Sequence, residues 1–109
     1  MKELNKYTEE DLDILHFIHN NPKLSQRAIS NKLGISLGKV NYCIKALIEI
    51  GFIKIENFTN AENKLKYIYI LTPKGVSAKV QIALNFLERK QEEYEKLYNY
   101  VYESDESKK

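Results

Sequence analysis

The spacing of apolar residues changes along this chain, and each change marks an element. Leu12, Ile14, Leu15, Phe17 and Ile18 recur at helical spacing behind Thr8 and the acidic run Glu9-Glu10-Asp11, which reads as a capped first turn. Asn20-Asn21-Pro22 ends that helix, because proline disfavours the α conformation in the residue before it. A second helix is predicted over 26–33, closed by Gly34, and a third from after Ser36 to about Ile50, closed by Gly51. Both open alike: Ser25 and Ser36 are N-caps, Leu24 and Ile35 precede them, and Ile29 and Val40 follow at hydrophobic-staple distance. The period then drops to two. FIKIENF (52–58) and LKYIYIL (65–71) predict a β-hairpin whose polar tip is 59–64. Thr72 as N-cap and Pro73 at the first helical position open a last helix that runs to about Glu103, before a polar tail frays over 104–109.

The order is therefore mainly α with a small β-hairpin wing: a winged helix-turn-helix over 8–72, followed by a long helix over 73–103. The tight turn at Gly34-Ile35-Ser36 lets one helix brace the next across a duplex groove, so the arrangement points to DNA binding. At 100° per residue, Val40, Ile44, Leu47, Leu37 and Cys43 share the inward side of the third helix. Gly38, Tyr42 and Lys45 point outward, with Lys39 and Asn41 on the flanks. Asn41 is suited to a bidentate bond with adenine, Lys39 and Lys45 to guanine or phosphate, and Tyr42 to a phosphate or a thymine methyl. Gly38 allows close backbone approach, and Ser36 lies at the helix N-terminus. Gln26 and Arg27 sit where helix N–H groups favour phosphate. At the wing, Asn60, Asn63, Lys64 and Lys66 are candidates for the minor groove or backbone, with Glu62 counting against a strongly cationic tip.

Charge sharpens this picture. The net charge is only +2, but 1–20 carries −3, 21–75 carries +6 and 76–109 carries −1, so the helix-turn-helix and wing are basic between acidic flanks. A local basic surface attracts phosphate whatever the overall balance. At 109 residues the chain is one domain with a single extension. No apolar run approaches a membrane span, and residues 1–13 carry no apolar leader core, so a cytoplasmic, nucleoid-associated protein is expected. One cysteine fits a reducing compartment.

Catalysis and cofactors are not expected. There is no glycine-rich phosphate loop and no nucleophile–base constellation. His16 and His19 lie at i, i+3, but nothing in the sequence completes a metal site, so they read as surface or packed histidines. Cys43 falls on the inward face and reads as a small buried apolar residue.

The last helix carries a second expectation. Val80, Leu84, Leu87, Gln91, Tyr94, Tyr98 and Val101 alternate steps of four and three, a heptad seam with one polar member, and Phe86, Leu97 and Tyr100 widen it. A helix of about 30 residues spans ~45 Å, too long for so small a body to cover. A second copy is the simplest partner, and a two-fold dimer implies an inverted-repeat operator in double-stranded DNA.

Three stretches carry a family resemblance: LSQRAISNKLGISLGKVNYCIKALIEIGFIKIENF, the LTPKG helix start and FLERKQEEYEKL. With these the chain resembles the MarR family of bacterial transcriptional regulators, in its small EPS-associated branch. The resemblance implies a winged-helix regulator acting as a homodimer, with exopolysaccharide genes as its targets. Ser30 stands where helix-turn-helix proteins usually carry alanine, a mild departure. Relatives gated by small molecules have longer helical dimerisation regions, so no effector is assigned. The alternative from another class is a winged-helix protein–protein adaptor that never meets DNA.

Overall fold

The computed structural model describes residues 2–59, 62 and 65–106. Helix α1 (Glu9–Asn20) starts from a reciprocal cap. The Asp11 N–H donates to the Thr8 hydroxyl at 3.1 Å, and the Thr8 N–H donates to the Asp11 carboxylate at 3.0 Å. Helix α2 (Gln26–Leu33) and helix α3 (Leu37–Glu49) begin with the serine caps read from the sequence: Ser25 and Ser36 hydroxyls accept from Ala28 and Lys39 N–H groups, each at 3.1 Å. Leu24 and Ile35 pack onto the cluster that contains Ile29 and Val40, as a staple requires.

The terminators are equally specific. Gly34 (φ 68°) ends α2, and the N–H groups of Gly34 and Ile35 both return to the Ser30 carbonyl. Ser30 also donates its hydroxyl to the Ile35 carbonyl, so the residue that departs from alanine fastens the turn between the two helices. After α3, Gly51 adopts φ 88°; its N–H donates to Ile48 and that of Phe52 to Leu47, a Schellman closure. Strands β1 (Ile53–Thr59) and β2 (Leu65–Leu71) pair antiparallel, from Ile53 opposite Leu71 out to Thr59 opposite Leu65.

One core unites these pieces. Ile14, Leu15 and Ile18 from α1, Ile29 from α2, and Val40, Cys43, Ile44 and Leu47 from α3 meet Phe52, Ile53 and Leu71 at the base of the hairpin. Ala78 and Ile82 close it from helix α4 (Pro73–Glu106). Leu37 departs from the inward reading and is 40% exposed. It is the first residue of α3, and a helical side chain covers the turn N-terminal to its own Cα rather than the surface beneath the helix centre.

The LTPKG segment is a joint. The Thr72 hydroxyl donates to the Gly51 carbonyl and accepts the Gly75 N–H at 3.0 Å, while the Thr72 N–H donates to the Phe52 carbonyl at 3.0 Å. Lys74 donates to the Ile50 carbonyl at 3.0 Å, at the electronegative end of α3. Gly75 lies so close to Phe52 that a Cβ would fall 2.0 Å from its carbonyl oxygen. The end of α3 and the start of α4 are thus tied together.

Two features exceed the sequence reading. A short 3-10 turn, Lys2–Lys6, packs beside α4, where Asn85 donates to Asn5 at 3.2 Å. Helix α4 continues through Glu106, three residues past its expected end. Its first turns lie on the body, and Lys90 pairs with Glu9 of α1 at 2.8 Å. From there the helix projects, which gives the molecule a long axis of 75 Å against 27 and 21 Å.

Candidate nucleic-acid interface

Helix α3 has two unlike sides because its sequence alternates at helical period. Val40, Cys43, Ile44 and Leu47 are buried, while Gly38, Lys39, Tyr42 and Lys45 are exposed, as the helical projection predicts. Tyr42 is the most open large hydrophobic side chain on this face, at 71%. Beyond the local helix backbone and its chain neighbours, nothing lies within 4 Å of the position a Gly38 Cβ would occupy, so a backbone from outside can come close there.

The cations differ in how they are held. Lys39 lies 3.6 Å from the Glu10 carboxylate, both about half exposed, an arrangement that competes with phosphate. Lys45 and Arg27 are exposed and have no partner among the described residues. Asn41 and Gln26 are half-buried and joined: Asn41 Nδ2 donates to Gln26 Oε1 at 3.1 Å, and Gln26 Nε2 donates to the Tyr69 hydroxyl at 2.9 Å. Gln26 therefore faces across α2 toward β2 rather than standing alone at the helix N-terminus. Tyr69 was not among the sequence candidates. It is one aromatic in an alternating strand, and nothing local to it announces a partner 43 residues away.

Of the wing candidates, Asn60, Asn63 and Lys64 lie outside the described residues, as does the side chain of Lys66 on β2. Behind α3, burial first, with the Asp11 carboxylate beside it, pushes the Cys43 thiol up to about 11. That thiol stays protonated at neutral pH, in keeping with a packing role. His16 contacts Asn20 at 3.2 Å and His19 contacts Lys79 at 3.1 Å, so the two imidazoles serve different neighbours. No group of three or more metal-binding side chains occurs among the described residues.

Comparison with known proteins agrees with this geometry. Residues 9–54 match a family model described as winged helix-turn-helix DNA-binding. The fold superposes on Staphylococcus aureus MarR, solved with salicylate and kanamycin, with TM-score 0.65 at 26% identity over 87% of this chain. The chain has a winged helix-turn-helix fold similar to that of MarR. Lactococcus lactis ZitR matches the chain at 25% identity, TM-score 0.63 and 94% coverage. The regulator SlyA, at 23% identity and TM-score 0.64 over 97% of the chain and 78% of SlyA, shares the fold. The chain spans 61% of the S. aureus MarR chain and 67% of ZitR. No curated protein matches the sequence. SlyA is described as a transcriptional regulator. No helix among the described residues is long and apolar enough to cross a membrane.

Helix α4 leaves its apolar seam in the open, both beside the body and along the projecting part. Leu87 is 62% and Tyr94 65% exposed, and Val80, Leu84, Tyr98 and Val101 are exposed beside them, with Gln91 in the middle. Tyr94, Tyr98 and Tyr102 stack along one side, with ring centroids 6.2 and 4.5 Å apart.

Proposed function

We propose that this protein is a homodimeric transcriptional regulator that binds operator DNA with α3 in the major groove. The observation that carries the reading is the division of α3 into a face that completes the core and a face of Gly38, Lys39, Tyr42 and Lys45 that meets solvent. Asn41, on the flank, reads base edges; Arg27, Lys39 and Lys45 meet phosphate, and Ser36 and Gln26 flank them at helix starts. Asn63, Lys64 and Lys66 extend the footprint through the wing. Residues 8–72 form the DNA-binding unit and 73–103 the dimerisation helix, which pairs through Val80, Leu84, Leu87, Gln91, Tyr94, Tyr98 and Val101. With two such units the operator is an inverted repeat, its half-sites about one turn, ~34 Å, apart. The EPS-associated resemblance extends the proposal to exopolysaccharide genes, and DNA as partner puts the work in the cytoplasm at the nucleoid.

Duplex DNA retention measured against salt tests this. A protein held by phosphates releases counterions, so log affinity falls linearly with log salt at about −0.9 per contact. Failure to retain duplex even at low salt favours the adaptor reading, in which exposed Leu37 and Tyr42 dock a protein partner instead.

A further inference from the structure

We propose that Tyr69 and Gln26 form a relay that fixes the Asn41 amide in the orientation that selects adenine. The inference rests on the DNA-reading role given to α3 above. The relay crosses three elements. Tyr69 stands on β2, its backbone N–H anchored on the Pro22 carbonyl at 3.3 Å. Gln26 is the first residue of α2 and donates Nε2 to the Tyr69 hydroxyl at 2.9 Å. Asn41, on α3, donates Nδ2 to Gln26 Oε1 at 3.1 Å.

A carboxamide carries an acceptor at one end and two N–H donors at the other, and a solvated asparagine is free to present either. Here each member constrains the next. With Nε2 engaged by Tyr69, Gln26 turns its oxygen toward Asn41, and that oxygen takes one Asn41 N–H. Asn41 keeps its Oδ1 and its second N–H. These form an acceptor–donor pair, the complement of the adenine major-groove edge, which offers the N6 amino group and N7. Guanine offers two acceptors, O6 and N7, and would set oxygen against Oδ1. The relay also removes side-chain freedom before DNA arrives, which lowers the entropy lost on contact. Tyr69 touches no base and is a positioning residue.

Selection of bound sequences from random duplex DNA, with the full chain and its variants, tests the relay. The unmodified protein is expected to select adenine at one position in each half-site, and Asn41→Ala to abolish that preference. Tyr69→Phe should keep its melting temperature and its retention of random duplex, yet lose adenine preference by about fivefold or more, within the range a bidentate contact supplies. Gln26→Glu still offers an oxygen to Asn41, so it should weaken binding overall through its charge while keeping the adenine preference. Selection of guanine at the Asn41 position, or an unchanged preference in Tyr69→Phe, overturns the relay while DNA binding stands. No retention of any duplex at low salt removes the DNA reading itself, and the relay with it.

Discussion

Substituting Gly75 by alanine sets two physical effects against each other and so tests the α3–α4 joint. Helix propensity alone favours the change: Gly75 lies in the first turn of α4, where alanine is better than glycine by at most the ~1 kcal/mol of a helix interior. Sterics oppose it. The new methyl would lie 2.0 Å from the Phe52 carbonyl oxygen, 2.8 Å from its carbonyl carbon and 3.0 Å from its Cα. These are backbone atoms at the foot of β1, with no flexible end to swing away. Relief needs α4 and the 51–52 backbone to part by about an ångström, and overpacking of this kind costs about 1–3 kcal/mol. That movement also stretches the bonds from Thr72 to the Gly51 and Phe52 carbonyls, each worth about 1 kcal/mol net. After subtracting the propensity gain, a net loss of about 2–4 kcal/mol is expected. In a chain of this size that lowers the melting temperature by roughly 10–20 °C. Thermal and urea unfolding followed by circular dichroism, at one fixed protein concentration so that self-association does not shift the midpoint, measure it. A melting temperature equal to or above that of the parent would refute the close approach of Gly75 to Phe52 and the joint built on it.

Three further outcomes follow from the site and its supports. Glu10→Gln releases Lys39 from its 3.6 Å pairing and removes a negative charge beside α3, so duplex affinity should rise a few-fold at low salt and converge with the parent at high salt, as read by fluorescence anisotropy. Leu87→Lys places a charge within the exposed α4 seam; sedimentation should show a monomer and circular dichroism an unchanged helicity, and a dimer of parental strength would remove the seam from the interface. For Cys43, the folded thiol titrates near 11, above its usual 9.0, so its stabilising contribution is complete below about pH 9 and is lost as pH rises toward 11. Thiol labelling of the native protein at pH 8 should therefore be slow and should track unfolding, and Cys43→Ala should flatten the alkaline decline in stability.

Local chemistry made the fold legible. Caps, staples and terminating glycines act within a few residues of themselves, so Ser25, Ser36, Gly34 and Gly51 announced α2, α3 and their ends, and the change to alternating Ile and Tyr announced the hairpin. What escaped was set at a distance. The Lys2–Lys6 turn is too short to show a period, and it holds its place by lying beside α4. Leu37 projects inward on a helical wheel, but a wheel does not know where the neighbouring layer stops. Along α3, composition and angle picked out the outward face; they could not show that Asn41 leans on Gln26 or that Gln26 leans on Tyr69, because those bonds join different elements. The role of Ser30 in the turn was hidden for a related reason, since its hydroxyl finds the Ile35 carbonyl only after Gly34 reverses the chain.

The α3–α4 joint has a mechanical outcome. Because Thr72, Lys74 and Gly75 bind the foot of one helix to the tail of the other, a rotation of either is expected to carry the other with it, as in a bent lever. With 34 residues, α4 is an arm of ~51 Å, and a swivel of only about 5° at its far end displaces the other end by about 4 Å. In a paired molecule, the pitch at which two such arms cross would gauge the distance between the reading heads, so changes in the crossing would retune operator spacing without touching a single base-facing residue.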